Sequence, residues 1–180
     1  MIDNSLKKLI INARDGDNEE FDALVYKIKD DLFRIAKSRL LDENDASDAV
    51  QETIITMYRL LPELKKTSSF KTWIVKILIN KCNDIYNNRH VNESISLDDE
   101  FNVNKVYTID KNINEEYEIF KVLDEEERTL ITLFFIEGYK SKEIAKMFNM
   151  NMNTVKTKIL RAKNKMRKEI EKKEGRLWIS

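Results

Sequence analysis

Polar and basic side chains are concentrated at the start of a predicted helix near the C-terminus. They are Asn151, Asn153, Thr154, Lys156, Thr157 and Lys158. Asparagine can pair with adenine, lysine with guanine, and threonine with the thymine methyl group, so this set could read base edges in the DNA major groove. Basic side chains follow along the same helix and could contact phosphates. They are Arg161, Lys163, Lys165, Arg167 and Lys168. The residues alone leave open a solvated surface helix.

The elements that would position these residues form a helix-turn-helix pattern. Ser141 could cap a short helix, Asn149–Asn151 could form the turn, and Asn151 could cap a longer helix from about residue 152 to 171. In such a unit the second helix lies in the major groove with its N-terminal residues against the bases. The pattern therefore predicts duplex DNA binding.

The chain offers little for catalysis or metal binding. It contains one histidine, His90, and one cysteine, Cys82. A structural zinc site usually needs four such ligands, and a Ser–His–Asp arrangement would depend on that single histidine. No Gly-rich phosphate loop is present. We therefore predict that the protein is not an enzyme and has no catalytic residue, metal, cofactor or small-molecule substrate.

Helical periodicity also dominates the N-terminal half. Apolar residues recur at spacings of three and four over 19–41, 45–61 and about 70–89, with a shorter pattern over 3–14. Asp45 is placed to cap the second of these. One proline and three glycines in 180 residues argue against a β-fold, and no run of 18 apolar residues predicts a transmembrane helix. The sequence predicts a soluble, cytoplasmic, all-α protein.

A formal net charge of zero hides a division of charge along the chain. Residues 1–90 carry 15 basic and 15 acidic side chains, residues 91–127 carry 3 and 12, and residues 128–180 carry 14 and 5. The net charges are thus 0, −9 and +9. Residues 91–114 lack helical periodicity and are rich in polar residues, so we expect a flexible acidic linker. It would join two small helical domains, residues 1–90 and 115–180.

Two stretches of the chain carry specific motifs. The first reads DASDAVQETIITMYRLLPELKKTSSFKTWIVKILINKCNDI and the second LDEEERTLITLFFIEGYKSKEIAKMFNMNMNTVKTKILRAKNKMRKEI. In this order they resemble the sigma factors of bacterial RNA polymerase, in particular the extracytoplasmic-function (ECF) group of the sigma-70 family. The likeness spans about residues 10–172. It departs at Phe148-Asn149, where asparagine tolerates a left-handed turn, and at Leu123-Asp124, where aspartate can cap a helix.

The resemblance implies a fold and a first partner. Residues 1–90 would be sigma domain 2, and residues 115–180 would be the helix-turn-helix sigma domain 4. By similarity, the DAVQE helix would dock on the β′ clamp helices of core RNA polymerase, with the β subunit as a further contact. The implied docking residues are Asp48, Gln51, Glu52 and Thr53. The residues alone show only that these four positions lie outside the apolar stripe of the helix predicted over residues 45–61.

The resemblance also implies that the first domain opens the promoter −10 element and binds its non-template strand. Unstacked bases need aromatic or polar pockets and nearby basic groups. The implied contacts are Lys65, Lys66, Thr67, Ser68, Ser69, Phe70, Lys76, Asn80, Asn83 and Arg89. Trp73 falls on the apolar stripe, so we expect it in the core.

The second domain would then read the −35 element through Asn151, Asn153, Thr154, Lys156, Thr157, Lys158 and Arg161. Lysines at several positions where the family often has arginine keep the charge but lose bidentate geometry. The acidic linker would pass through basic channels of the polymerase, although a solubilising role stays open. The resemblance further implies an anti-sigma factor, which in this group is often membrane-bound.

Two alternatives to a promoter-recognition subunit stay open. A helix-turn-helix regulator acting without core polymerase would bind duplex DNA tightly alone. A helical protein-interaction module would tolerate glutamate at Lys156, Lys158 and Arg161. The sequence gives neither the promoter sequence nor the inducing signal.

Overall fold

The computed structural model describes residues 4–95 and 119–177, with residues 89–95 and 174–177 described by their backbone alone. These residues form seven α-helices and no β-strand, which confirms the predicted all-α class. The N-terminal helices are α1 (Asn4–Arg14), α2 (Asn18–Leu40), α3 (Glu43–Leu60) and α4 (Phe70–Ile95). The C-terminal helices are α5 (Glu125–Ile131), α6 (Ser141–Met147) and α7 (Met152–Leu177).

The four N-terminal helices pack around α2, which contacts α1, α3 and α4. The residues of α2 at helical spacing, Leu24, Leu32 and Ile35 among them, are buried as the periodicity predicts. Asp42 caps α3 by accepting a hydrogen bond from the Asp45 backbone N–H at 2.9 Å. The prediction that Asp45 caps this helix is wrong, because Asp42 begins it earlier.

Helix α4 is longer and more buried than predicted. It reaches Ile95, whereas the sequence pattern places its end near residue 89, so residues 91–95 of the predicted linker are helical. Residues 96–114 of that linker lie outside the described residues. Val75 and Ile79 are buried beside the predicted stripe, at 1% and 5% exposure. The helix is therefore apolar on two sides and contacts the N-terminal helices and α6.

The C-terminal helices begin at a capping box. The Asp124 carboxylate accepts from the Glu127 N–H at 2.7 Å, and the Glu127 carboxylate accepts from the Asp124 N–H at 3.1 Å. This confirms aspartate as the cap at this position. Residues Thr132–Ile136 continue α5 as a π-helical turn, and Gly138 follows with φ of +69°.

The N-terminal and C-terminal helices pack against each other. Helix α2 contacts α5 and the π-helical turn, while α4 contacts α6. Among the described residues, none of the helices combines the length and apolar character needed to cross a membrane.

Candidate nucleic-acid interface

The turn between α6 and α7 is fixed by its own backbone. Asn149 adopts a left-handed φ of 53°, and the Met150 N–H donates to the Ala145 carbonyl at 2.9 Å. This is the Schellman pattern that ends a helix, and asparagine takes the place usually filled by glycine. Asn151 then caps α7, because its Oδ1 accepts from the Asn153 N–H at 2.8 Å. The predicted helix-turn-helix is present.

The first turns of α7 separate into a buried side and an exposed side. Val155, Ile159 and Ala162 are buried against the rest of the unit. The predicted reading residues Asn151, Asn153, Thr154, Lys156, Thr157 and Arg161 are exposed. The Asn151 side-chain oxygen is committed to the helix cap. The other exposed side chains form one surface at the end of the helix that enters a groove in this motif.

Lys158 is the exception within this predicted set. It is half-buried and forms an ion pair with Glu126 in the first turn of α5. The hydrogen bond that the Lys158 ammonium donates to the Glu126 carboxylate raises the pKa of Lys158 above its ordinary value. A contact of Lys158 with a base or phosphate would therefore compete with this ion pair.

Acidic residues at the start of α5 belong to the C-terminal unit and not to the linker. Lys165 Nζ lies 2.7 Å from both carboxylate oxygens of Glu127, which is largely buried. When the acidic residues 124–127 are counted with this unit, residues 119–177 carry 15 basic and 9 acidic side chains, a net charge of +6. The +9 obtained by cutting the chain at residue 128 overstates the positive charge of this unit.

Polar and basic residues are exposed along the connection between α3 and α4. Lys65, Lys66, Ser68 and Ser69 are exposed there, and Thr67 is half-buried. Lys76 and Asn80 are exposed one turn apart on α4. We call these residues the α4 surface; they are candidates for contact with a single strand.

Two predicted −10 residues, Phe70 and Asn83, do not belong to the α4 surface as expected. Phe70 is fully buried and packs on Trp73 at 5.9 Å between ring centroids, so its placement in a base pocket is corrected to a core position. Trp73 is half-buried against the same core, as expected. Asn83 Oδ1 accepts hydrogen bonds from Arg39 Nε and Nη2, at 3.1 and 2.6 Å. The Arg89 side chain lies outside those that the structure describes.

The predicted docking residues on α3 also divide by exposure. Asp48, Gln51 and Glu52 are exposed, and Glu52 lies 3.4 Å from Lys81 Nζ. Thr53 is fully buried and donates to the Ala49 carbonyl at 2.7 Å, so it is corrected to a core position.

Two exposed apolar side chains lie on α3 near the predicted docking residues. They are Ile55 and Tyr58, at 49% and 57% exposure, and sequence reasoning missed them. The available signal was helical spacing, because Ile55 lies four residues after Gln51 and Tyr58 lies three residues after Ile55. We call the exposed set Asp48, Gln51, Glu52, Ile55 and Tyr58 the α3 face.

Comparison with known proteins decides the family. The family model described as Sigma-70 region 2 matches residues 24–90, and the one described as Sigma-70, region 4 matches residues 115–166. The RNA polymerase sigma factor SigV of Bacillus subtilis (strain 168) is 31% identical over 152 residues, covering 81% of this chain and 88% of SigV. The ECF RNA polymerase sigma-E factor of Haemophilus influenzae is 26% identical over 178 residues, covering 91% and 94%. This chain belongs to the sigma-70 family, in its ECF group.

Solved structures show the same fold for this ECF sigma factor. CnrH, determined in complex with the cytosolic domain of CnrY, matches with a TM-score of 0.70 at 22% identity, covering 93% of this chain and 98% of CnrH. RpoE from Bartonella quintana, determined with the anti-sigma factor NepR, also gives a TM-score of 0.70 at 18% identity, covering 85% and 98%.

Proposed function

We propose that this ECF sigma factor binds core RNA polymerase and directs initiation at promoters with −10 and −35 elements. The observation that carries the proposal is the exposed side of α7. Its polar and basic residues are exposed to solvent at the N-terminal end. On the opposite side of the helix, Val155, Ile159 and Ala162 are buried and hold it against the rest of the unit. This arrangement fits duplex readout in the major groove, here of the −35 element. The protein would act by binding and not by catalysis.

The α3 face is the proposed contact with the β′ clamp helices. It combines acidic and amide groups with two exposed apolar side chains, Ile55 and Tyr58. A polar rim around apolar anchors is typical of protein interfaces. Removing the anchors should therefore weaken core binding more than removing one rim charge.

The α4 surface is the proposed contact with the non-template strand of the −10 element. Lys65 and Lys66 would meet phosphates, while Ser68, Ser69 and Asn80 would hydrogen-bond to unstacked bases. Phe70 would support this surface from the core. The division into two helical domains is part of the same proposal, with the end of the first moved from residue 90 to Ile95 and the acidic linker shortened to residues 96–114.

We also propose that an anti-sigma factor regulates this protein. The family resemblance supports this, as does the likeness in fold to RpoE, which was determined with NepR. Such a partner would cover the α3 face or the DNA-binding surfaces. Adding it should abolish binding to core polymerase.

Transcription in vitro tests the proposal. Core polymerase with this protein should transcribe a subset of a random promoter library, whereas core polymerase alone should not. A variant with Ile55→Ala and Tyr58→Ala should lose core binding while keeping its helical content. Tight duplex binding by the free protein without any stimulation of core polymerase would favour a regulator that acts alone.

A further inference from the structure

One large apolar side chain interrupts the polar and basic side of α7. Leu160 is 58% exposed and directly precedes Arg161, which we assign to the −35 element. A single exposed leucine is common on protein surfaces, so its exposure alone indicates no site. Its position among the predicted reading residues is more informative, because it determines what the side chain can contact.

Leu160 continues a row that begins with two predicted reading residues. Asn153, Thr157 and Leu160 follow each other at spacings of four and three residues, so their side chains are neighbours along one side of the helix. Val155, which is fully buried, lies five residues before Leu160 and therefore about 140° away around the helix. Leu160 thus lies on the same exposed side of α7 as Asn153 and Thr157.

The length of this row matches a short run of base pairs. Leu160 lies seven residues after Asn153, which is about 10 Å of helix at about 1.5 Å per residue. Base pairs are stacked about 3.4 Å apart, so the row spans about three base-pair steps. Helices in the major groove contact successive bases through residues about one turn apart. All three side chains can therefore meet bases in one groove.

The surroundings of Leu160 fit DNA better than an apolar protein partner. Lys156, one turn earlier, and Arg161, next in the chain, are both exposed. Among the described side chains of α7, the other exposed large apolar ones are Met152 and Ile170, which lie eight and ten residues away and about 80° around the helix. A protein interface has a core of several apolar groups, whereas a thymine presents a single methyl group.

We propose that Leu160 reads the methyl group of a thymine in the −35 element. This inference rests on the proposed function, because it names one base contact of the proposed −35 surface. Of the four bases, only thymine carries a methyl group in the major groove. Leu160 would cover that methyl group and exclude water from it, while Lys156 and Arg161 contact polar base edges or phosphates.

Replacing thymidine by deoxyuridine tests this contact, because uracil pairs as thymine does but lacks the methyl group. The probe is a promoter duplex selected from a random library by transcription with core polymerase and the full chain. Each thymidine in its upstream block is replaced in turn, and binding by the same holoenzyme is measured by competition. One replacement should weaken wild-type binding about fourfold, which corresponds to the loss of one buried methyl group.

Leu160→Ala should remove this sensitivity and bind the thymidine and deoxyuridine duplexes equally. Its helical content should be unchanged, because Leu160 is exposed and alanine favours helices. Any second sensitive thymine, contacted by Thr157, should stay sensitive in this variant. Ile170→Ala is the matched control, since it removes an exposed aliphatic side chain from the same helix, ten residues from Leu160. It should keep the fourfold difference at the same thymine.

Several results would overturn the role of Leu160 and leave the proposed function in place. They are an upstream block without thymine on either strand, a block in which no deoxyuridine changes the affinity, and full sensitivity at every position in Leu160→Ala. Equal loss of sensitivity in Leu160→Ala and Ile170→Ala would also overturn it. If the holoenzyme selects no upstream block at all, the proposed −35 readout itself fails, and the role of Leu160 fails with it.

Discussion

The ion pair between Glu126 and Lys158 restrains a residue that we assign to the −35 surface. Lys158 is 38% exposed and Glu126 28% exposed, so water screens the pair. Pairs of this kind contribute about 0.2–1 kcal/mol. A contact between Lys158 and DNA would compete with this ion pair. We therefore predict that Glu126→Gln strengthens duplex binding by about 1.4- to fivefold.

Glu169→Gln is the matched control for this prediction. It removes the same charge from the same unit but lies 11 residues from Lys158 on α7, about 16 Å along the helix. That distance exceeds the Debye length of about 8 Å at physiological salt, so we expect almost no change. Fluorescence anisotropy with a short labelled duplex measures both affinities. Equal binding by the two variants would refute the assignment of Lys158 to the DNA surface.

Three further predictions concern Phe70, Asn149 and Cys82. Phe70→Ala should lower the free energy of unfolding by about 3–5 kcal/mol in urea titrations, because it leaves a cavity at a buried site. A change under 1 kcal/mol would contradict the core position of Phe70. Asn149→Ala should lower the free energy of unfolding by about 1–2 kcal/mol, whereas Asn149→Gly should not, because the backbone at this position is left-handed. Equal stability of the two variants would contradict this turn. Burial raises the pKa of the Cys82 thiol to about 12, so native protein at pH 8 should react with iodoacetamide about a thousandfold more slowly than unfolded protein. Comparable labelling rates of native and unfolded protein would contradict the burial of Cys82. Because the thiol ionises at a lower pH in the unfolded chain than in the folded one, the free energy of unfolding should also fall as the pH rises above about 8.5.

Local signals in the sequence predicted most of the helix-turn-helix. The prediction that Ser141 caps its first helix is wrong, because Lys140 is the cap and Ser141 is the first helical residue. Asn149 in the left-handed turn, Asn151 as the cap of α7 and Asp124 as the cap of α5 depend on residues within three or four positions of each other. Such contacts follow from spacing alone. The sequence does not show that Asp42 is the cap of α3, because Asp42 and Asp45 lie three residues apart and either could cap a helix.

Side-chain orientation within a motif was harder to predict. Phe70 and Thr53 lie in stretches that resemble functional segments, yet both are fully buried. Phe70 stands four and eight residues before Ile74 and Leu78, so helical spacing already placed it on the buried row. Helical geometry was the better guide to orientation at these positions than the motif.

Contacts between distant elements could not be predicted at all. Arg39 and Arg128 meet partners up to 90 residues away, and no local pattern marks a buried arginine. The burial of Val75 and Ile79 had a weak signal, because the run from Ile74 to Ile79 is apolar on two sides of the helix. That pattern predicts a second packing partner without identifying it.

The central claim is that one chain reads two separated promoter elements through its two helical units. Sequencing the transcripts made from a random promoter library by core polymerase and this protein tests it most directly. Two conserved blocks are expected upstream of the start site, and a variant with Lys156→Glu, Lys158→Glu and Arg161→Glu should lose the upstream block alone. Transcripts with a single conserved block, or a variant that keeps both blocks, would contradict it.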